Sequence, residues 1–187
     1  MTERLAVIFL FASVVVNIML TVQLHQRPVV DSDTPTPGNS VPPIELRASV
    51  GPPRKALQYG DNQPPTFLYW FSTSCGWCEV NLPNFQALAD QSVGKYRFVP
   101  VSLEPPGELA AYSEAHHLHF PLYNITAETA KEYHLTGTPL SVLISGHGVI
   151  IQRWPGAYSP SVLVDVERML SIRLPGMSMN SVGGARP

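Results

Sequence analysis

Cys75 and Cys78 are the two cysteines of the chain, and a Gly-Trp pair separates them in Cys75-Gly76-Trp77-Cys78. Two sulfurs at this spacing suit dithiol–disulfide exchange, because the second can attack a mixed disulfide formed by the first. An apolar aromatic run, Phe67-Leu68-Tyr69-Trp70-Phe71, precedes them and a helix-compatible segment follows. A strand that hands the pair to a helix start sets the first sulfur among unpaired N–H groups at the positive end of the macrodipole, which favours a thiolate. A structural zinc site is the competing use of C-x-x-C, and it needs a second Cys or His pair at ligand spacing. None exists: there is no further cysteine, and His25, His116, His117, His119, His134 and His147 give no such pair close behind Cys78. A purely structural cross-link over so short a loop removes little chain entropy.

The elements that must position the pair follow from periodicity. Residues 66–71 are β-prone. Residues 79–91 carry Val80, Phe85 and Leu88 on a helical stripe with Leu82 beside it. Residues 96–103 predict a second strand, and Pro106 opens a helix to about residue 117. Thr126 caps a short helix to Tyr133. Residues 138–145 predict a strand, Gly146-His147-Gly148 a hairpin turn, and residues 149–154 its partner. Ser159-Pro160 starts a last helix with Val162, Leu163, Val166, Met169 and Leu170 on one stripe. The order βαβα, a short helix, then ββα, requires parallel crossovers followed by a hairpin, hence a mixed sheet flanked by helices.

The 187 residues suit one domain with extensions, and the net charge of −2 with 14% charged residues gives no reason to expect nucleic acid. Residues 5–24 carry no charged side chain, the length a helix needs to cross a bilayer. A cleavable signal peptide has a shorter apolar region and a small-x-small cleavage site, which is missing after Thr21-Val22-Gln23-Leu24. An uncleaved signal anchor is expected over residues 1–27. Nine of the 19 prolines fall between residues 28 and 65, so residues 28–43 predict an extended, semi-stiff linker. Residues 44–59 hold short alternating pieces that suit an edge strand or hairpin. The domain is expected over 44–172 and a loose tail over 173–187, which lack periodicity.

The element order, together with Trp70-Phe71-Ser72-Thr73-Ser74-Cys75-Gly76-Trp77-Cys78, Pro83 five residues on, and Tyr133-His134-Leu135-Thr136-Gly137-Thr138-Pro139, resembles the thioredoxin fold. Within it the chain is similar to membrane-anchored, extracytoplasmic proteins of the TlpA/ResA type. The resemblance implies thiol–disulfide oxidoreductase activity with Cys75 as nucleophile and Cys78 as resolving thiol. It implies a cis-proline at Pro139 facing the cysteines, a kink at Pro83, and substrate contacts from Trp77, Thr138 and Pro139. It implies no metal or cofactor. Protein thiols and disulfides are the expected partners, with a membrane redox protein beside them, on the periplasmic face of a bacterial inner membrane.

Two departures stand out. Asn81 occupies a position where ResA-type relatives carry a glutamate, and Tyr69 one where thioredoxins carry a buried aspartate. Both acids would serve proton transfer to the resolving cysteine. Glu79 is adjacent in sequence but belongs to another helix face. His134 replaces a glycine and reads either as a tolerated helix C-cap or as a titratable group near the sulfurs. The alternative function is copper handling by Cys75, Cys78 and His134, since soft thiolates bind Cu(I). A peroxidase reading lacks its Pro-x-x-x-Thr/Ser-x-x-Cys setting.

Overall fold

Strict alternation in the central strand divides the domain into two cores. In β3 (Thr66–Trp70) and the residue after it, Phe67, Tyr69 and Phe71 point to one face of the sheet and Leu68 and Trp70 to the other, all of them buried. A computed structural model of the chain describes residues 13–17, 19, 36–49 and 55–177. Its further strands are β1 (Ile44–Ala48), β2 (Lys55–Leu57), β4 (Arg97–Ser102), β5 (Tyr123–Asn124), β6 (Leu140–Ile144) and β7 (Ile150–Pro155). They form a sheet in the order β2-β1-β5-β4-β3-β6-β7, in which β4 runs parallel to β3 and β6 antiparallel. The expected mixed sheet is therefore present, extended by a β1–β2 hairpin and by β5, too short for periodicity to mark.

The helices are α1 (Gly76–Val80), α2 (Leu82–Asp90), α3 (Pro106–Ala115), α4 (Ala127–Glu132) and α5 (Pro160–Leu170). The Phe67–Tyr69–Phe71 face packs against Phe85 and Leu88 of α2, Leu109 and Tyr112 of α3, and Val166 and Leu170 of α5. The opposite face packs Leu68 and Trp70 against Ala130 and Tyr133 at α4 and against Ile44, Leu46 and Leu57 of the hairpin. One helix expected over 79–91 is two, broken at Asn81. Pro83 has no N–H to continue the ladder, and the chain restarts with Phe85 N–H on the Asn81 carbonyl at 3.0 Å. The caps are as read: Thr126 Oγ1 accepts from Thr129 N–H and Ser159 Oγ from Val162 N–H. On α5, Met169 lies at the edge of the stripe and is exposed, whereas Val166 and Leu170 are buried.

The domain is longer at both ends than its composition implies. Residues 36–43 of the expected linker lie on the β6–β7 turn: Gly38 N–H donates to Ile150 O and Val41 N–H to Gly148 O, both at 2.8 Å, and Val41 is buried. The Tyr133 hydroxyl donates to the Pro42 carbonyl. The expected loose tail begins as a docked strap. Arg173 N–H donates to Gln91 Oε1 (3.1 Å), Leu174 N–H to Glu167 Oε1 (2.8 Å) and Gly176 N–H to Asn84 Oδ1 (2.9 Å), while the Ile172 and Leu174 side chains are buried. Side-chain acceptors hold this strap, so it has no periodicity to read. Residues 28–35 and 178–187 lie outside the described residues. So does most of the expected span over residues 5–24, whose described positions 13–17 and 19 are helical. Among the described residues no helix is long and apolar enough to cross a membrane.

Docking of the strap has a measurable consequence. Leu174→Ala should lower unfolding free energy by about 2 kcal/mol. Urea titration checks this; a change within about 0.5 kcal/mol, as for an exposed site, would mean that the segment does not pack.

Candidate active site

The two sulfurs lie in different environments although two residues separate them. Cys75 is the N-cap of α1 and partly exposed, and its Sγ accepts the Cys78 N–H at 3.3 Å. As a thiol it donates to the Thr138 carbonyl at 3.4 Å. Cys78, one turn inside, is 3% exposed. Both are free thiols. Burial pushes the Cys78 thiol well above the usual cysteine range, and its hydrogen bond with Cys75 adds to the rise. The Ser72 main-chain N–H and the Thr138 side chain act in the other direction, and burial prevails. The attacking thiolate is therefore expected at Cys75.

The loop facing the pair is held rigidly. The Thr138–Pro139 bond is cis, and Gly137 has φ +66°, a region open to glycine. Upstream, α4 ends in a Schellman motif: Leu135 N–H bonds Ala130 O at 2.8 Å and His134 N–H bonds Lys131 O at 2.9 Å, with His134 left-handed at φ +46°. Arg153 then clamps the turn, donating through Nη1 to Tyr133 O (3.1 Å) and through Nη2 to His134 O (2.7 Å). His134 thus has a conformational role as a C-cap. No three His, Cys, Asp or Glu among the described residues come together so as to hold a metal ion, so the copper set Cys75–Cys78–His134 is not assembled.

Behind Cys78 the two departures from the family pattern meet each other. Asn81 Nδ2 donates to the Tyr69 hydroxyl at 2.9 Å, and both residues are buried. Asn81 Oδ1 accepts from Asn84 Nδ2 (2.8 Å) and from Tyr158 N–H (3.4 Å), and the Tyr158 hydroxyl pairs with Ser141 Oγ (2.7 Å). This network is neutral, and burial holds Tyr69 well above the usual phenol range. Glu79 looks elsewhere, as its helix face predicts: its Oε1 accepts from the Tyr112 hydroxyl at 2.8 Å and lies 3.5 Å from His116 Nε2. Trp77 stands 61% exposed on α1, a large apolar surface beside the partly open Cys75.

Two residues outside the motif, Glu104 and Glu108, reach the turn before Cys75 through Ser72 and Thr73. Glu104 Oε1 accepts from Ser72 Oγ (2.6 Å) and Thr73 N–H (3.2 Å), and Glu108 Oε1 accepts from Thr73 Oγ1 (2.5 Å). Glu104 follows the C-terminal end of β4, where loops of parallel strands gather functional groups. That positional rule was the one available signal for it.

Residues 53–168 match the model of the thioredoxin-like domain family. The chain belongs to that family. It carries the C-x-x-C pair of the family's thiol–disulfide oxidoreductases. A "Thioredoxin-like protein" of Haemophilus influenzae is 31% identical over 93 residues, 48% of this chain and 54% of the relative, so the match spans about half the length of that relative. Among solved structures, StoA from Bacillus subtilis is similar with a TM-score of 0.56 and 24% identity, over 68% of this chain and 98% of that one. The pneumococcal exposed lipoprotein thioredoxin from Streptococcus pneumoniae gives 0.57 and 15%, over 69% and 100%. A thiol:disulfide interchange protein of the thioredoxin family from Chlorobium tepidum gives 0.56 and 17%, over 72% and 97%. These likenesses establish the shared fold.

The asymmetry of the sulfurs is testable. Iodoacetamide on the native, reduced protein near pH 7.5 should label Cys75 at least tenfold faster than Cys78. Peptide mapping would show one adduct before unfolding and two after it. Equal labelling of both thiols would contradict the assignment.

Proposed function

We propose that this protein catalyses thiol–disulfide exchange on protein substrates, with Cys75 as nucleophile and Cys78 as resolving thiol. The carrying observation is the pairing of a partly exposed Cys75 Sγ, which accepts the Cys78 N–H, with a buried Cys78. In the reducing direction the Cys75 thiolate attacks a partner disulfide. A Cys75–partner S–S bond forms, the partner's own S–S bond breaks, and one partner thiolate leaves. Cys78 then loses its proton and attacks Cys75 Sγ, which forms Cys75–Cys78 and releases the second partner thiolate. Two electrons pass to the partner, and both of its thiolates take protons from solvent at neutral pH. The reverse sequence oxidises a dithiol by the same atoms. Trp77, Thr138 and Pro139 border this centre and are assigned to contact the partner's backbone and side chains around its reacting sulfur.

The uncharged residues 5–24 support a second element of the proposal, an uncleaved anchor that holds the domain on the extracytoplasmic side, where disulfides persist. Residues 36–43 pack on the domain, so the tether would comprise residues 28–35. Extended at roughly 3 Å per residue, it reaches about 25 Å. That distance suits a membrane redox protein, or a substrate close to the bilayer, as exchange partner.

Cys78→Ser should leave attack intact and block resolution, so mixed disulfides with protein partners should accumulate and disappear on adding dithiothreitol. Non-reducing electrophoresis reads this out, and an absence of trapped species in cells expressing the variant would count against the assignment. Alkaline carbonate extraction of cells should leave the full-length chain in the membrane pellet. A soluble mature form beginning after Leu24 would remove the anchor and leave the exchange chemistry standing.

A further inference from the structure

A cavity of about 320 Å³, open to solvent, lies at the same end of the sheet as the dithiol, on the α4 side. Trp70 at the end of β3, Leu103 just after β4 and Leu135 beyond α4 line it with apolar surface, and Lys131, His134 and Thr136 add polar groups. Trp70 and Leu135 belong to the core opposite Cys78. Leu103 packs in neither core and is 48% exposed, although Asn124 Nδ2 fixes its carbonyl at 3.0 Å. One exposed leucine means little alone, but this one borders an apolar hollow.

The cavity adjoins the dithiol on two sides. Next to Leu103, Glu104 Oε1 takes the Ser72 hydroxyl at 2.6 Å and the Thr73 N–H at 3.2 Å, in the turn that leads into Cys75. Two residues after Thr136, the Thr138 carbonyl lies 3.4 Å from Cys75 Sγ. Two residues span at most about 7 Å, so the cavity begins on the order of 10 Å from that sulfur. An extended chain covers this distance in about three residues. Lys131 is exposed, and among the described residues no carboxylate pairs with it. Glu128 and Glu132, the acids of α4, do not line the cavity. The surface is also held before a partner arrives, since Arg153 Nη2 donates to His134 O at 2.7 Å. A preformed surface loses little freedom on binding.

We propose that this cavity is a specificity subsite for the protein substrate, taking a large apolar side chain about three residues from the reacting cysteine, with an adjacent carboxylate on Lys131. The inference rests on the dithiol-exchange reading and deepens it by naming the substrate class. The occupant is the substrate's own chain, because the cavity continues the surface on which the substrate sulfur must meet Cys75. Trp70, Leu103 and Leu135 favour an aromatic or branched side chain there by removing its apolar surface from water. Lys131 favours an acid beside it and disfavours a lysine or arginine.

Acetylated peptides with one cysteine, carried as its mixed disulfide with 5-thio-2-nitrobenzoate, are the probes. Attack of the Cys75 thiolate on the peptide sulfur forms a Cys75–peptide bond, breaks the peptide–nitrobenzoate bond and releases the coloured thiolate. Cys78 then loses its proton and attacks Cys75 Sγ, and the departing peptide thiolate takes a proton from solvent. Phe-Asp, Phe-Lys or Ala-Asp stands two to four residues from the cysteine, before it in one series and after it in the other, in an otherwise Ser-Gly sequence. In at least one series the reduced protein should react about tenfold faster with the Phe-Asp than with the Ala-Asp peptide, and about threefold faster than with the Phe-Lys peptide. Leu103→Asp should bring the first ratio below about threefold. Lys131→Glu should invert the second, so that the Phe-Lys peptide reacts faster. The nitrobenzoate group is common to every peptide and cancels in these ratios. Both altered side chains are exposed, so neither change removes core packing. Ratios near one for the wild type in both series, or a ratio that its variant leaves unchanged, would overturn the proposal. So would a dimer that Leu103→Asp separates in sedimentation velocity with no peptide preference, which would make the cavity a self-association face. A wild-type protein that releases no nitrobenzoate thiolate from any peptide would instead refute the exchange reading itself.

Discussion

Burial of the Cys78 thiol against the aromatic face of the sheet is the constraint on which the rest of the site depends. The helix start supplies the Cys78 N–H to Cys75 Sγ, and of the two sulfurs only that of Cys75 meets water. Cys78 packs with Tyr69, Phe71 and Phe85 and stays protonated, while its own N–H turns outward to Cys75 Sγ. The difference in environment between two chemically identical side chains thus comes from one turn of helix and from the face of β3 on which α1 lies. In the proposed exchange the same burial carries a cost, since a Cys78 thiolate would form where charge is disfavoured.

Side-chain hydrogen bonds fix the surroundings of the dithiol. The Tyr69–Asn81 bond replaces charged groups with a neutral pair that satisfies itself, so the space behind Cys78 stays polar without an acid. The Ser72–Thr73 turn is held from β4 and β5 through Glu104 and Asn124, some thirty and fifty residues downstream. Arg153 on β7 does the equivalent for the facing loop by taking two helix-end carbonyls. Each loop at the dithiol is therefore pinned by a residue on or just after a neighbouring strand, which is how flexible connections acquire fixed geometry.

Much of this was legible in the residues themselves, for reasons that differ by element. The dithiol, the strand before it and the α5 cap are local patterns, each contained within a dozen residues. Pro83 and Pro139 carry their conformational consequences in their own rings, and the resemblance assigned their places. Arg153 is invisible to such reading, because an isolated charged residue within a strand has no partner until the sheet is assembled, and Glu104 carries only the positional signal of a residue that follows a parallel strand. The docked strap at residues 173–176 and the packed stretch at residues 36–43 depart from the expected tail and linker for a related cause. Both are ordered by hydrogen bonds to other segments and not by a periodic apolar face, so low periodicity there does not mean looseness.

Reversible two-electron cycling of one dithiol is the central claim, and equilibration against glutathione redox buffers tests it most directly. Acid-trapped samples, alkylated and mapped by mass spectrometry, should show Cys75 and Cys78 passing together from two thiols to one intramolecular disulfide. The transition should follow a two-electron Nernst curve, with a tenfold change in the equilibrium constant for every 29.6 mV. Persistent glutathionylation of Cys75 with Cys78 left as a free thiol, or no Cys75–Cys78 disulfide at any buffer ratio, would contradict the account.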